Sequence, residues 1–97
     1  MIKFKDLDFK PHGCDDDGVH ARAFFGNGRG ASVIRFAHSY GGDQGLYELA
    51  VLSGVESQWH IDYTTPITED VIGYCSEDDI TYLLGEIAAL PPEGESE

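Results

Sequence analysis

Val19-His20-Ala21-Arg22-Ala23-Phe24-Phe25, Gly26-Asn27-Gly28-Arg29-Gly30 and Ala31-Ser32-Val33-Ile34-Arg35-Phe36-Ala37 follow one another without a break. The outer segments alternate small or apolar with polar residues and are rich in aromatic and β-branched side chains, which is the period of a half-buried strand. Asn-Gly with further glycines between two such runs predicts a hairpin. Working outward, His38 to Gly45 reads as a second Gly-rich loop, Leu46 to Ser53 as a strand, Gly54 to Gln58 as a loop and Trp59 to Thr64 as another strand. On the other side, Ile2 and Phe4 against Lys3 and Lys5 suggest an opening strand that Pro11 stops, because proline cannot donate to a ladder. Residues 12–18 read as a loop, since Gly and Asp favour turns.

Beyond Pro66 the period changes. Thr68-Glu69-Asp70-Val71 has the pattern of a short helical turn with Thr68 as its cap. Ser76-Glu77-Asp78-Asp79 is a stronger helix start: Ser76 can accept a bond from a free first-turn N–H, and three acids oppose the positive end of the dipole. Asp79 stands where a capping box prefers Glu or Gln. Ile80, Leu83, Leu84, Ile87 and Ala88 then make one apolar stripe at helical spacing, and Pro91-Pro92 ends it. The expected fold is α+β: an antiparallel β-meander of four to five strands, one face covered by a C-terminal helix over 77–90. Residues 1–92 form one domain on this reading, and 93–97 an acidic tail.

At 97 residues the chain can bury a real core, and 41% hydrophobic content with eleven aromatic side chains argues against disorder. No apolar run approaches the roughly 18 residues of a membrane helix, and Met1-Ile2-Lys3-Phe4-Lys5 lacks the apolar segment of a signal peptide. These features imply a soluble, cytoplasmic protein. Cys14 and Cys75 read as reduced thiols, with a single Cys14–Cys75 bridge as the alternative.

Charge is distributed unevenly. The six basic side chains (Lys3, Lys5, Lys10, Arg22, Arg29, Arg35) and five acids fall in the first 35 residues, and thirteen acids with no Lys or Arg in the remaining 62, for a net charge of −12. Such a field repels nucleic acid and anionic membranes and attracts basic surfaces. Adaptation to high salt would also give an acidic, Lys-poor chain, but it should spread its charge more evenly.

The chemistry-bearing motifs are weak. Gly26-x-Gly28-x-Gly30-x-x-Val33 resembles the phosphate-covering loop of protein kinases, but Val33-Ile34-Arg35-Phe36 lacks the strand lysine, and the chain cannot hold the other kinase parts. A strand rather than a helix follows the glycines, which excludes the dinucleotide fingerprint. His12-x-Cys14 with Asp15, Asp16 and Asp17 has no second ligand pair for zinc, and lacks the alternating ligands and distal Glu of a calcium loop. His20, His38 and His60 are scattered. No Ser–His–Asp or Cys–His motif stands out, and Glu77 to Asp79 oppose activation of Cys75 as a thiolate. We therefore expect no catalytic residues, no metal and no cofactor. The expected contact residues are acids: Glu69, Asp70, Glu77, Asp78 and Asp79, read as flanking one turn, with Asp43, Asp62, Glu48 and Glu86 able to extend the field. An unbroken block without counter-charge costs self-repulsion, which a basic partner offsets.

Lys3-Phe4-Lys5-Asp6-Leu7-Asp8-Phe9-Lys10-Pro11-His12, Gly45-Leu46-Tyr47-Glu48-Leu49-Ala50-Val51-Leu52 and Asp62-Tyr63-Thr64-Thr65-Pro66-Ile67-Thr68-Glu69-Asp70-Val71 resemble stretches of small phage and prophage proteins. In size and acidity the chain is similar to anti-CRISPR proteins, several of which resemble duplex DNA in charge and occupy the basic DNA channel of a CRISPR effector. The resemblance implies a non-enzymatic inhibitor or DNA mimic in the host cytoplasm. Its partner would be a basic DNA- or RNA-binding protein, such as a CRISPR effector, with no direct contact to nucleic acid or membrane. The alternative is a small phage accessory or virion-associated structural protein. A third reading is a small-molecule-binding or hydrolytic domain, with a ligand among His38, His60 and Tyr40.

Overall fold

The structure is a computed structural model and describes residues 2–11, 18–36, 39–68 and 70–91. The expectations for His12, Cys14, Asp15 to Asp17, His38, Glu69 and the 93–97 tail concern residues outside those described. Strands β1 (Lys10–Pro11), β2 (Val19–Phe24), β3 (Arg29–Arg35), β4 (Tyr47–Val55), β5 (Gln58–Ile61) and β6 (Ile72–Cys75) precede helix α1 (Glu77–Ala88). The architecture is the expected α+β fold. All strand pairs are antiparallel and run in the order β1-β2-β3-β4-β5, with β6 also paired to β4.

The Gly26–Gly28 turn closes β2 and β3 as a three-residue loop. Phe25 N–H donates to Arg29 O at 2.7 Å, and Gly28 adopts φ 75°, a left-handed conformation that glycine reaches at little cost. The β3–β4 register pairs Ala31 with Val51 and Val33 with Leu49. These four, with Tyr47, point to one face and meet Ile80, Leu84 and Ile87 of α1, all three fully buried. Each such side chain contributes about 1.5–3 kcal/mol by leaving water.

The opening strand is not formed as expected. Phe4–Asp6 is a 3₁₀ turn, and the strand is confined to Lys10–Pro11, where proline is tolerated because β1 is at the sheet edge. Two bonds divert the chain: Lys3 N–H donates to Asp6 Oδ2 at 2.9 Å, and Phe4 N–H to Thr81 Oγ1 of α1 at 2.9 Å. Phe4 and Phe9 then pack on Tyr47, with ring centroids 5.0 and 5.6 Å away, so the N-terminal segment covers the same face as the helix.

The Thr68–Val71 helical turn is likewise replaced. Thr68 Oγ1 accepts from Asp70 N–H at 3.1 Å, the bond a cap would make, but strand β6 follows instead of a helix. β5 and β6 both lie on β4, against Leu52–Val55 and Tyr47–Leu49 respectively. They behave as one edge strand interrupted by the 62–71 excursion. Two steps along β4, from Tyr47 to Leu49, are matched by three along β6, from Cys75 to Ile72, so β6 carries a bulge. Within it Tyr74 has φ 56°, which is costly for a residue with a Cβ.

Candidate protein-interaction surface

Helix α1 and the elements around its two ends position most of the acids named above. At its N-terminus the capping box closes despite the short acid: Asp79 N–H donates to Ser76 Oγ at 3.1 Å, and Ser76 N–H to Asp79 Oδ2 at 3.0 Å. Asp79 therefore holds the helix start as well as adding charge. Glu77 and Asp78 are exposed and, with Thr81, line an open recess of about 290 Å³ whose other wall is Lys3, Phe4 and Lys5. The basic N-terminus and the acidic helix start, distant in sequence, are neighbours in space. The block without Lys or Arg is thus partly matched in three dimensions.

The C-terminus of α1 has no basic residue of its own. The β2–β3 turn supplies the missing donors. Asn27 Nδ2 donates to Ile87 O at 3.0 Å, Ala88 O at 3.3 Å and Leu90 O at 3.0 Å, while its Oδ1 accepts from Arg29 N–H at 3.0 Å. Arg29 Nε reaches Pro91 O at 3.4 Å, and its guanidinium ion-pairs with Asp62 Oδ2 at 2.9 Å.

This pairing corrects the placement of Asp62. Its side chain is 10% exposed and turned into the fold, and it is not on the acidic surface. Ser53 Oγ donates to its Oδ2 at 2.6 Å, and Thr64 N–H to its Oδ1 at 2.8 Å. Burial alone would raise this carboxyl. The Ser53 hydroxyl, the Thr64 hydroxyl and amide, and the Arg29 charge outweigh it and lower the pKa to about 2.

The other acids differ in commitment. Glu48 Oε1 accepts from Tyr40 N–H at 3.0 Å, and Asp8 pairs with Lys10 at 3.3 Å. Asp43, Asp70, Glu77, Asp78 and Glu86 are exposed, and none has a side-chain hydrogen bond or an ion pair within 4 Å among the described residues. Asp70 and Glu77 do not flank one turn. The four residues of β6 stand between them, up to about 13 Å of strand at 3.3 Å per residue. Asp43 comes to the same edge by a different route, because the loop carrying it packs on β6. Tyr74 N–H donates to Tyr40 O at 3.1 Å, and a Cβ on Gly41 would touch Tyr74 Cα at 2.9 Å.

Three tyrosines stand at this edge; from the sequence Tyr40 is named only as a ligand candidate beside His38 and His60, and Tyr74 and Tyr82 are not named. Tyr40, Tyr74 and Tyr82 are 60%, 58% and 67% exposed. Tyr82 carried a readable signal, since it falls off the apolar stripe of 80, 83, 84 and 87. Cys75, a free and buried thiol beneath them, is pushed up in pKa by burial and then by the charge of Asp79, so it stays protonated. Among the described residues no group of three or more His, Cys, Asp or Glu side chains is placed to hold a metal ion, and no helix is long and apolar enough to cross a membrane. Comparison with protein-family models, with curated proteins and with solved structures gives no significant match.

Proposed function

We propose that the protein is a non-enzymatic inhibitor that binds the basic nucleic-acid-binding surface of another protein, and that it is an anti-CRISPR of phage origin acting in the host cytoplasm. One observation carries the reading. Exposed carboxylates without a hydrogen bond or ion pair among the described residues remain at Asp43, Asp70, Glu77, Asp78 and Glu86, while each arginine has a partner within the chain: Arg29 pairs with Asp62 inside the fold, Arg35 lies over Tyr47, and the exposed Arg22 lies over Trp59. Carboxylates on a folded surface can stand in for the closely spaced phosphates of a duplex. They take the place of DNA on Lys- and Arg-lined grooves and release the partner's counterions. Binding of this kind blocks DNA competitively and weakens steeply with salt.

The test is to immobilise the protein, capture its partner from host lysate and challenge the complex. The captured protein should bind DNA on its own and be released both by duplex DNA and by raised salt. A captured partner indifferent to both removes the electrostatic mechanism. Exposed β5 favours a second reading, a phage accessory or virion-associated structural protein. All four of its residues are solvent-facing, with Trp59 and Ile61 among them and Val55 beside them. Sedimentation showing a stable oligomer that dissociates on Trp59→Ala would favour that reading.

A further inference from the structure

We infer that Tyr74 and Tyr82, with Asp79 between them and Tyr40 alongside, form an arginine-receiving centre within the acidic surface; the inference rests on the proposed function and names the side chain the partner contributes. Tyr74, Tyr82 and Asp79 line one small open recess of about 240 Å³ over an apolar floor that includes Ile72 and Leu83. That is below the roughly 300–1,000 Å³ of sites that enclose a small molecule, and it suits one side chain. Tyr40 is set against it, because a Cβ on Gly73 would lie 2.3 Å from the Tyr40 Cβ. On α1, Asp78, Tyr82 and Glu86 follow at four-residue steps, so a carboxylate flanks the Tyr82 ring on either side along the helix.

Aromatic rings beside carboxylates match a guanidinium better than an ammonium. The planar group stacks on the ring while its N–H fork donates to the acid. The fold already uses this chemistry internally, with Arg22 5.0 Å from the Trp59 ring centroid and Arg35 5.2 Å from that of Tyr47. The tyrosine recess has no such arginine, since all three in the chain are placed elsewhere. Charge complementarity therefore assigns the occupant: an arginine side chain of a basic protein partner.

The experiment is a titration of the intact protein with octa-arginine and octa-lysine peptides at low salt, by calorimetry and by NMR of the tyrosine rings. Octa-arginine should bind about fivefold more tightly than octa-lysine, the scale of one exposed cation–π contact. Tyr82→Ala combined with Tyr74→Asn, the latter tolerating the left-handed backbone, should erase that difference and leave octa-lysine binding unchanged. Tyr82→Phe, which keeps the ring, should retain it. Equal binding of both peptides that weakens with salt would overturn the tyrosine centre and leave the acidic reading standing. Failure of both peptides to bind would overturn both.

Discussion

The two ends of helix α1 are held by different logic. The N-terminus is closed by its own residues, Ser76 and Asp79, within a single turn. The C-terminus is closed from another element, by Asn27, 60 residues away from Ile87, and by Arg29, 62 away from Pro91. The self-sufficient end leaves Glu77 and Asp78 exposed and available to a partner. The dependent end ties the hairpin, β4 and the 62–64 segment to the helix through Arg29 and Asp62. Buried Ile80, Leu84 and Ile87 hold both halves of the helix to the sheet, but only the C-terminal end takes its cap from another element.

Arg29→Ala should break this contrast most severely. It leaves the Asp62 carboxylate buried without its cation, and the loss of stability in urea denaturation should be on the order of 3–5 kcal/mol. Acid acts on the same pair more gently. The folded pKa of Asp62 is lowered from 3.8 to about 2, so its stabilisation is fully present above pH 3.8 and disappears as pH falls through about 2. The amount is on the order of 2 kcal/mol, read as the difference between wild type and Asp62→Asn across that window.

Smaller effects separate the two caps. Asn27→Ala removes the amide shared by three carbonyls and should cost roughly 1–3 kcal/mol, with hydrogen-exchange protection lost first at residues 85–90. Ser76→Ala should cost about 1 kcal/mol and loosen only the first turn. If Ser76→Ala proves the more damaging, the contrast between the ends is reversed. Tyr74→Gly should raise stability, by on the order of 1 kcal/mol, because glycine adopts φ 56° without the Cβ penalty. A gain of that kind together with weaker partner binding would show that the strain at Tyr74 is retained for recognition.

The same contrast explains what could be read in advance. The helix start was legible because its cap, its acids and its apolar stripe lie within a dozen consecutive residues. The hairpin was legible for the same reason, since Asn27-Gly28 and its flanking alternation are local. Asn27 as a helix cap was not, because nothing near Asn27 in sequence refers to Ile87. Asp62 looked like any other acid of the block, and only its pairing with Arg29, 33 residues earlier, places it inside. The Phe4–Asp6 turn and β6 were missed because their conformations depend on Thr81, Tyr40 and the register of β4. Of the acids expected at the surface, Asp43, Asp70, Glu77, Asp78 and Asp79 are exposed, and Asp79 also serves the cap.

The central claim is that the exposed carboxylates are a contact surface for a basic partner. Its most direct test is the affinity of a captured DNA-binding partner for the wild type and for an Asp43→Lys, Asp70→Lys, Glu86→Lys variant, measured from about 50 to about 200 mM salt. These three acids are exposed and serve no cap or ion pair among the described residues, so the fold should survive their reversal. Wild-type affinity should fall by about tenfold or more over that range, and the variant should bind weakly with a flatter salt dependence. Equal affinity of the two proteins, unchanged by salt, would contradict the claim.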